Sequence, residues 1–150
     1  MAKIPMITLD NRHDLYQRVI LDHYKKPRHK GRTSPVHRQQ QGRTPYCGDT
    51  IELTVKLNQT GDTIEDVQFE GEGCSVALAS ADLMADAIRG LSIVKALETV
   101  EQFLAMMEGI AEFPEEPKQL NKLNVMQALT HPLRLKCAKL AWYTLKAALE

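Results

Sequence analysis

Residues 51–57 leave little freedom to the fold. Ile51, Leu53, Val55 and Leu57 alternate with Glu52, Thr54 and Lys56, the period-two pattern of a strand with one buried face. Asn58-Gln59-Thr60-Gly61-Asp62 is turn chemistry. Residues 64–71 return as a second strand, with Val67 and Phe69 on its apolar face. A short third strand is expected at residues 75–78. A sheet with one apolar face needs a covering layer, and the remaining chain supplies helices.

Leu15, Val19, Ile20 and Tyr24 fall at helical spacing, with Asp10 or Asn11 as candidate cap. Lys25-Lys26-Pro27 ends that helix, because the residue before proline disfavours helical angles. Residues 25–45 are basic, Gln-rich and broken by Pro27, Gly31, Pro35, Gly42 and Pro45, and read as loop. Further helices are expected at 79–88, closed by Gly90, and at 93–107, capped by Ser92 with Val94, Leu97, Val100, Leu104 and Met107 as its apolar stripe. A short helix is expected near 121–129. A last one is capped by Thr130, carries Pro132 in its first turn and runs to about Leu149. The order is α+β: a small antiparallel three-stranded sheet packed against about five helices. A chain of 150 residues suits one domain, 1–150, with residues 1–9 as a flexible leader.

Composition narrows the function. A hydrophobic fraction of 43% and a charged fraction of 25% are those of a soluble globular protein. The 19 basic and 19 acidic side chains cancel, so no global field attracts nucleic acid. No apolar run approaches the roughly 20 residues that span a bilayer, no secretory signal pattern opens the chain, and a cytoplasmic location is the default. The basic residues cluster from Lys25 to Arg43, a solvated loop or a docking surface for an acidic partner.

The whole thiol inventory is Cys47, Cys74 and Cys137. Three cysteines cannot all pair internally, which argues against a disulfide framework. If Leu57 pairs with Ile64, the hairpin register sets Thr50 opposite Gly71 and, extended, Cys47 opposite Cys74. Gly48, Gly71 and Gly73 let both segments curl around an ion. Cys137 lies in the first turns of the last helix and shares a face with Leu133, Leu140 and Ala141. That face alone reads as a small core residue, yet this end of the helix can abut the open end of the hairpin. Three thiols and Asp49 would make four donors, a set suited to tetrahedral zinc or iron. His13, His23, His29, His37 and His131 are read as surface or capping residues, with His131 an alternative ligand.

These residues resemble a known family. Leu15-Tyr16 through His23-Tyr24-Lys25-Lys26-Pro27-Arg28, Pro45-Tyr46-Cys47-Gly48-Asp49, Phe69-Glu70-Gly71-Glu72-Gly73-Cys74-Ser75 and Arg134-Leu135-Lys136-Cys137-Ala138 are similar to the SufU branch of the IscU/NifU N-terminal family of iron–sulfur cluster assembly proteins. IscU-type scaffolds carry a histidine directly before the third cysteine, where this chain has Lys136. They also have a shorter stretch between the second and third cysteines, the excess here falling in residues 109–129.

The resemblance implies the IscU/SufU fold, a zinc site of Cys47, Asp49, Cys74 and Cys137, and a pyridoxal-phosphate-dependent, SufS-like cysteine desulfurase as partner. It implies a sulfurtransferase-like role: the chain accepts persulfide sulfur and passes it to the downstream iron–sulfur assembly machinery. Cys47, in its glycine-bounded loop, is the first choice of acceptor and Cys137 the second. Arg134 and Lys136 are candidates for orienting a ligand or partner. The alternative is a scaffold that holds a transient iron–sulfur cluster on the same cysteines.

Overall fold

The computed structural model describes residues 12–44, 48–110, 112–129 and 131–150. The expectations placed on residues 1–9, Asp10, Asn11, Cys47 and Thr130 lie outside the described residues. The elements in chain order are α1 (Arg12–Lys25), β1 (Arg38–Arg43), β2 (Thr50–Leu57), β3 (Ile64–Glu72), α2 (Ser75–Ile88), α3 (Ile93–Met107), α4 (Lys118–Asn121), which runs into a 3-10 segment at Lys122–Ala128, and α5 (Pro132–Leu149). The sheet is antiparallel, in the order β1-β2-β3. The helices α2 and α5 pack against it, with α1 on α2 and α3 on α5. Among the described residues no helix is long and apolar enough to cross a membrane.

The hairpin buries Ile51, Leu53, Val55 and Leu57 against Ile64, Val67 and Phe69. Its register departs from the simple count. Leu57 does pair with Ile64, but a bulge next to Leu57 sets Lys56 opposite Asp66, and Thr50 then faces Glu72 rather than Gly71. One extra residue on one strand slides every later pair by one position, so counting back from the turn does not set Cys47 opposite Cys74.

The third strand is β1, inside the stretch read as loop, and residues 75–78 are instead the first turn of α2. Arg38-Gln39-Gln40-Gln41-Gly42-Arg43 has no apolar alternation, because it is an edge strand whose inward positions include Gln40 and Gly42. Pairing with β2 overrides the weak local signal. Gly42 is required by packing: a Cβ there would collide with Thr144 Oγ1 and crowd Leu140 of α5. Ser75-Val76-Ala77-Leu78-Ala79 can extend β3 or open a helix, and strong helix formers follow it.

The helix α3 is capped as expected, Ser92 accepting from Lys95 N at 3.0 Å, but it buries a different stripe. Ala96, Thr99, Val100, Phe103 and Met106 face inward, while Val94 is 69% exposed and Leu97, Leu104 and Met107 lie at the margin. The cause is Trp142 of α5, fully buried and stacked on Phe103 with ring centroids 4.1 Å apart. Such a pair adds about 0.5–1.5 kcal/mol beyond area burial and turns α3 toward α5. In α1, Leu15, Val19 and Ile20 are buried and Tyr24 is 43% exposed. The stop at Lys25, before Pro27, is as expected.

Candidate metal centre

Three elements bring the polar residues of the site together. Asp49 sits just before β2 and is fully buried. Cys74 is the N-cap of α2 and half-buried, and Cys137 is buried in the second turn of α5. One donor atom from each lies within 4.8 Å of the others. Cys47 lies outside the described residues. His131, the alternative ligand, caps α5 instead: its Nδ1 accepts from Leu133 N at 3.2 Å.

Asp49 organises the group. Its Oδ1 accepts from the backbone N–H of Cys74 at 2.8 Å, and its Oδ2 lies 3.7 Å from Cys74 Sγ. The carboxylate therefore fixes the turn that carries the thiol, with one oxygen turned toward the sulfur. Gly73 makes this approach possible, since a Cβ there would overlap the Asp49 carboxylate. On the other side, Gly48 takes φ +71°, which strongly favours glycine. Its N–H bonds Thr44 O, while Thr44 N bonds Asp49 O, closing a tight connection between β1 and β2.

The donors suit a soft or borderline ion. Two thiols and a carboxylate are common ligands of zinc and iron. Donors on a tetrahedral ion with bonds of about 2.0–2.3 Å stand about 3.3–3.8 Å apart, so modest side-chain rotation closes the present spacing. Tyr16 of α1 lies beside the group: burial pushes its hydroxyl pKa up, the charge of Arg134 opposes that, and Cys74 adds to it. Arg134 is thus within electrostatic reach of the same corner, while Lys136 is exposed.

This geometry stands beside clear kinship. The NifU-like N-terminal domain model matches residues 15–150. The chain belongs to the NifU-like N-terminal domain family. Within that family it is 43% identical to the zinc-dependent sulfurtransferase SufU of Bacillus subtilis, over 88% of this chain and 87% of that one. It is 38% identical to the iron–sulfur cluster assembly scaffold protein IscU of Streptococcus pyogenes, over 96% and 88% of the two chains. The SufU crystal structure from Fervidobacterium islandicum superimposes with a TM-score of 0.76 at 34% identity, covering 92% of this chain and 98% of that one. These likenesses agree with the α+β architecture expected of a NifU-like domain.

A second buried polar cluster was not anticipated. His23 and His29, expected at the surface, are 2% and 3% exposed. Fully buried Asp82 of α2 accepts from His23 Nδ1 at 2.5 Å and from the backbone N–H groups of Arg28 and His29, each at 2.8 Å. With the ring proton on Nδ1, donated to the carboxylate, His23 Nε2 is left to accept from Lys122 Nζ at 2.7 Å. Burial pushes the Lys122 pKa below its ordinary value. The chain Asp82–His23–Lys122 ties α2, α1 and the 3-10 segment together, so the longer second-to-third-cysteine stretch is a packed part of the domain. The available signal was Asp82 itself, an acid inside the apolar helix of residues 79–88.

Next to it, a hydrogen bond from His29 Nε2 at 3.3 Å lowers the Asp86 pKa from its ordinary 3.8. A carboxyl with a depressed folded-state pKa stabilises the fold above its unfolded pKa, and that contribution is lost as pH falls through the folded value. Urea-denaturation midpoints should therefore drop more steeply below about pH 4 in the parent chain than in Asp86→Asn. Superimposable acid limbs would contradict this.

Proposed function

We propose that this chain is a zinc-dependent sulfur acceptor of iron–sulfur cluster assembly, taking persulfide sulfur from a cysteine desulfurase and passing it on. The observation that carries the reading is the meeting of Asp49, Cys74 and Cys137 within 4.8 Å. Support comes from the similarity to a zinc-dependent sulfurtransferase and from Lys136 standing directly before Cys137, where IscU-type scaffolds have histidine.

Cys47, Asp49, Cys74 and Cys137 would hold the ion. Bound zinc supplies a redox-inert positive charge that keeps ligand thiols as thiolates near neutral pH. Asp49 holds Cys74 through its backbone N–H, while Gly48, next to Cys47 in the chain, takes a φ of +71° that strongly favours glycine. In the transfer, the Cys47 thiolate attacks the terminal sulfur of the desulfurase persulfide. A new sulfur–sulfur bond forms, the old one breaks, and the desulfurase thiolate leaves with the electron pair. No external oxidant or reductant is needed. The carbon–sulfur bond of free cysteine is broken by the partner's pyridoxal phosphate.

The similarity to IscU scaffolds sustains one other reading, a transient cluster on the same donors. Anaerobic purification followed by zinc and iron analysis, with a cognate desulfurase assayed alone and with the chain, separates them. About one zinc per chain and strong activation, lost in Cys47→Ala, are expected. A stable, transferable cluster without activation overturns the proposal. If Cys47→Ala still takes up sulfur normally, the acceptor is another thiol.

A further inference from the structure

We propose that the open edge of β1 receives an extended acidic segment of a partner protein by strand addition. This inference rests on β1 and its charge and is independent of what the metal centre holds.

The two edges of the sheet differ. The outer edge of β3 is covered: Gly31 N bonds Phe69 O at 2.8 Å, Phe69 N bonds His29 O at 2.9 Å, and Gly90 N and Leu91 O take the outer groups of Ile64. The edge of β1 has no such cover among the described residues. Thr44 N bonds Asp49 O, one step beyond the last ladder pair, Arg43 with Thr50. Antiparallel alternation then turns the backbone groups of Gly42 and Gln40 inward toward β2, and those of Gln39, Gln41 and Arg43 outward. All three outward residues are exposed. One outward carbonyl, that of Gln41, is met at 3.2 Å by the flexible side chain of Gln40, which an incoming strand would displace. The helix α5 covers the inner face of β1, with Gly42 packed against Thr144 and Leu140, so the strand is held firmly while its edge stays open. An exposed row of unpaired backbone groups is a template for a further strand.

Charge selects the occupant. Between Asp22 and Asp49 the chain has no acidic residue and seven Lys or Arg. Arg28 is spent on Asp22, and Arg32 on Glu52 and Glu70. Lys25, Lys26, Lys30, Arg38 and Arg43 are exposed, and no ion pair to them occurs among the described residues. Arg38 and Arg43 bracket the open edge. A second copy of β1 would set like charges across the new pair, which is destabilising, whereas an acidic strand would neutralise them. The edge also runs on to Thr44, whose N–H bonds Asp49 O, so a docked strand ends close to Asp49.

The test uses the isotope-labelled full chain and a capped octapeptide alternating threonine and glutamate. Shifts and slowed hydrogen exchange are expected at the Gln39, Gln41 and Arg43 amides, with binding at least tenfold weaker in Gln41→Pro. Proline at that position removes only an outward N–H and is tolerated on an edge strand. Binding should also weaken steeply with salt and for the glutamine version of the peptide. Should Gln41→Pro perturb the fold, the double variant Arg38→Glu/Arg43→Glu serves, with preference expected to switch to a threonine–lysine peptide. No binding at millimolar peptide, shifts elsewhere with these amides unmoved, or equal affinity in both variants overturns the proposal. So does concentration-dependent dimerisation lost in Gln41→Pro, which would make the occupant a second copy.

Discussion

Asp49→Ala is expected to weaken zinc binding at least about 100-fold, more than the 10- to 100-fold typical of losing a group that merely supports a ligand. The residue has two tasks. It offers a carboxylate oxygen to the group formed with Cys74 and Cys137, and it anchors the Cys74 turn through the 2.8 Å bond from Cys74 N. Removing it deletes one donor and releases the segment carrying another. Asp49→Asn keeps an acceptor for Cys74 N but loses the charge, so its affinity should fall between the two. Competition with a chromophoric zinc chelator measures both variants, and desulfurase activation should fall in parallel on the reading proposed above. An unchanged zinc affinity in correctly folded Asp49→Ala would remove Asp49 from the ligand set.

Asp82→Ala should produce the largest loss of stability, about 3–5 kcal/mol, since each buried donor left without its acceptor costs about 1–3 kcal/mol. Three donors lose their acceptor at once: His23 Nδ1 and the backbone N–H groups of Arg28 and His29. With roughly 2–4 °C per kcal/mol for a chain near this size, the melting temperature should drop by about 6–20 °C. Asp82→Asn should lose less, because its carbonyl can still accept from the two backbone groups while its amide opposes His23. Calorimetry with the metal content held equal measures the difference, since bound metal adds its own stabilisation. A loss under 1 kcal/mol in Asp82→Ala would mean that water replaces the carboxylate without penalty.

The two sites differ in how plainly their residues announce themselves. Asp49 follows Gly48, Cys74 follows Gly73, and Cys137 is the remaining thiol near the start of a helix, and their segments stand at the ends of elements whose periodicity is strong. The Asp82 cluster is made of common residues. His23 and Lys122 are 99 positions apart, and nothing local marks either as a partner of the other. The same contrast runs through the fold. The alternation from Ile51 to Leu57 and the cap at Ser92 were legible because each is a local property. The strand β1 was not, because Gln39-Gln40-Gln41-Gly42 becomes a strand only through pairing with β2 and the packing of α5 on Gly42. The inward stripe of α3 was misjudged by one position because Trp142 stacks on Phe103, a contact between residues 39 apart.

The sequence by itself determined the hairpin, the run of helices that follows it, the helix ends at Lys25 and Ser92, and the short set of residues capable of metal chemistry. These follow from backbone sterics, side-chain periodicity and donor chemistry, which act within a few residues. Only the tertiary structure decided the bulge that shifts the hairpin register, the identity of the third strand, the burial of His23 and His29, and the approach of Asp49 to Cys74 and Cys137. Each of these depends on which distant surface a segment meets. That meeting is settled by packing and by the need to pair every buried polar group, which act between residues far apart in the chain.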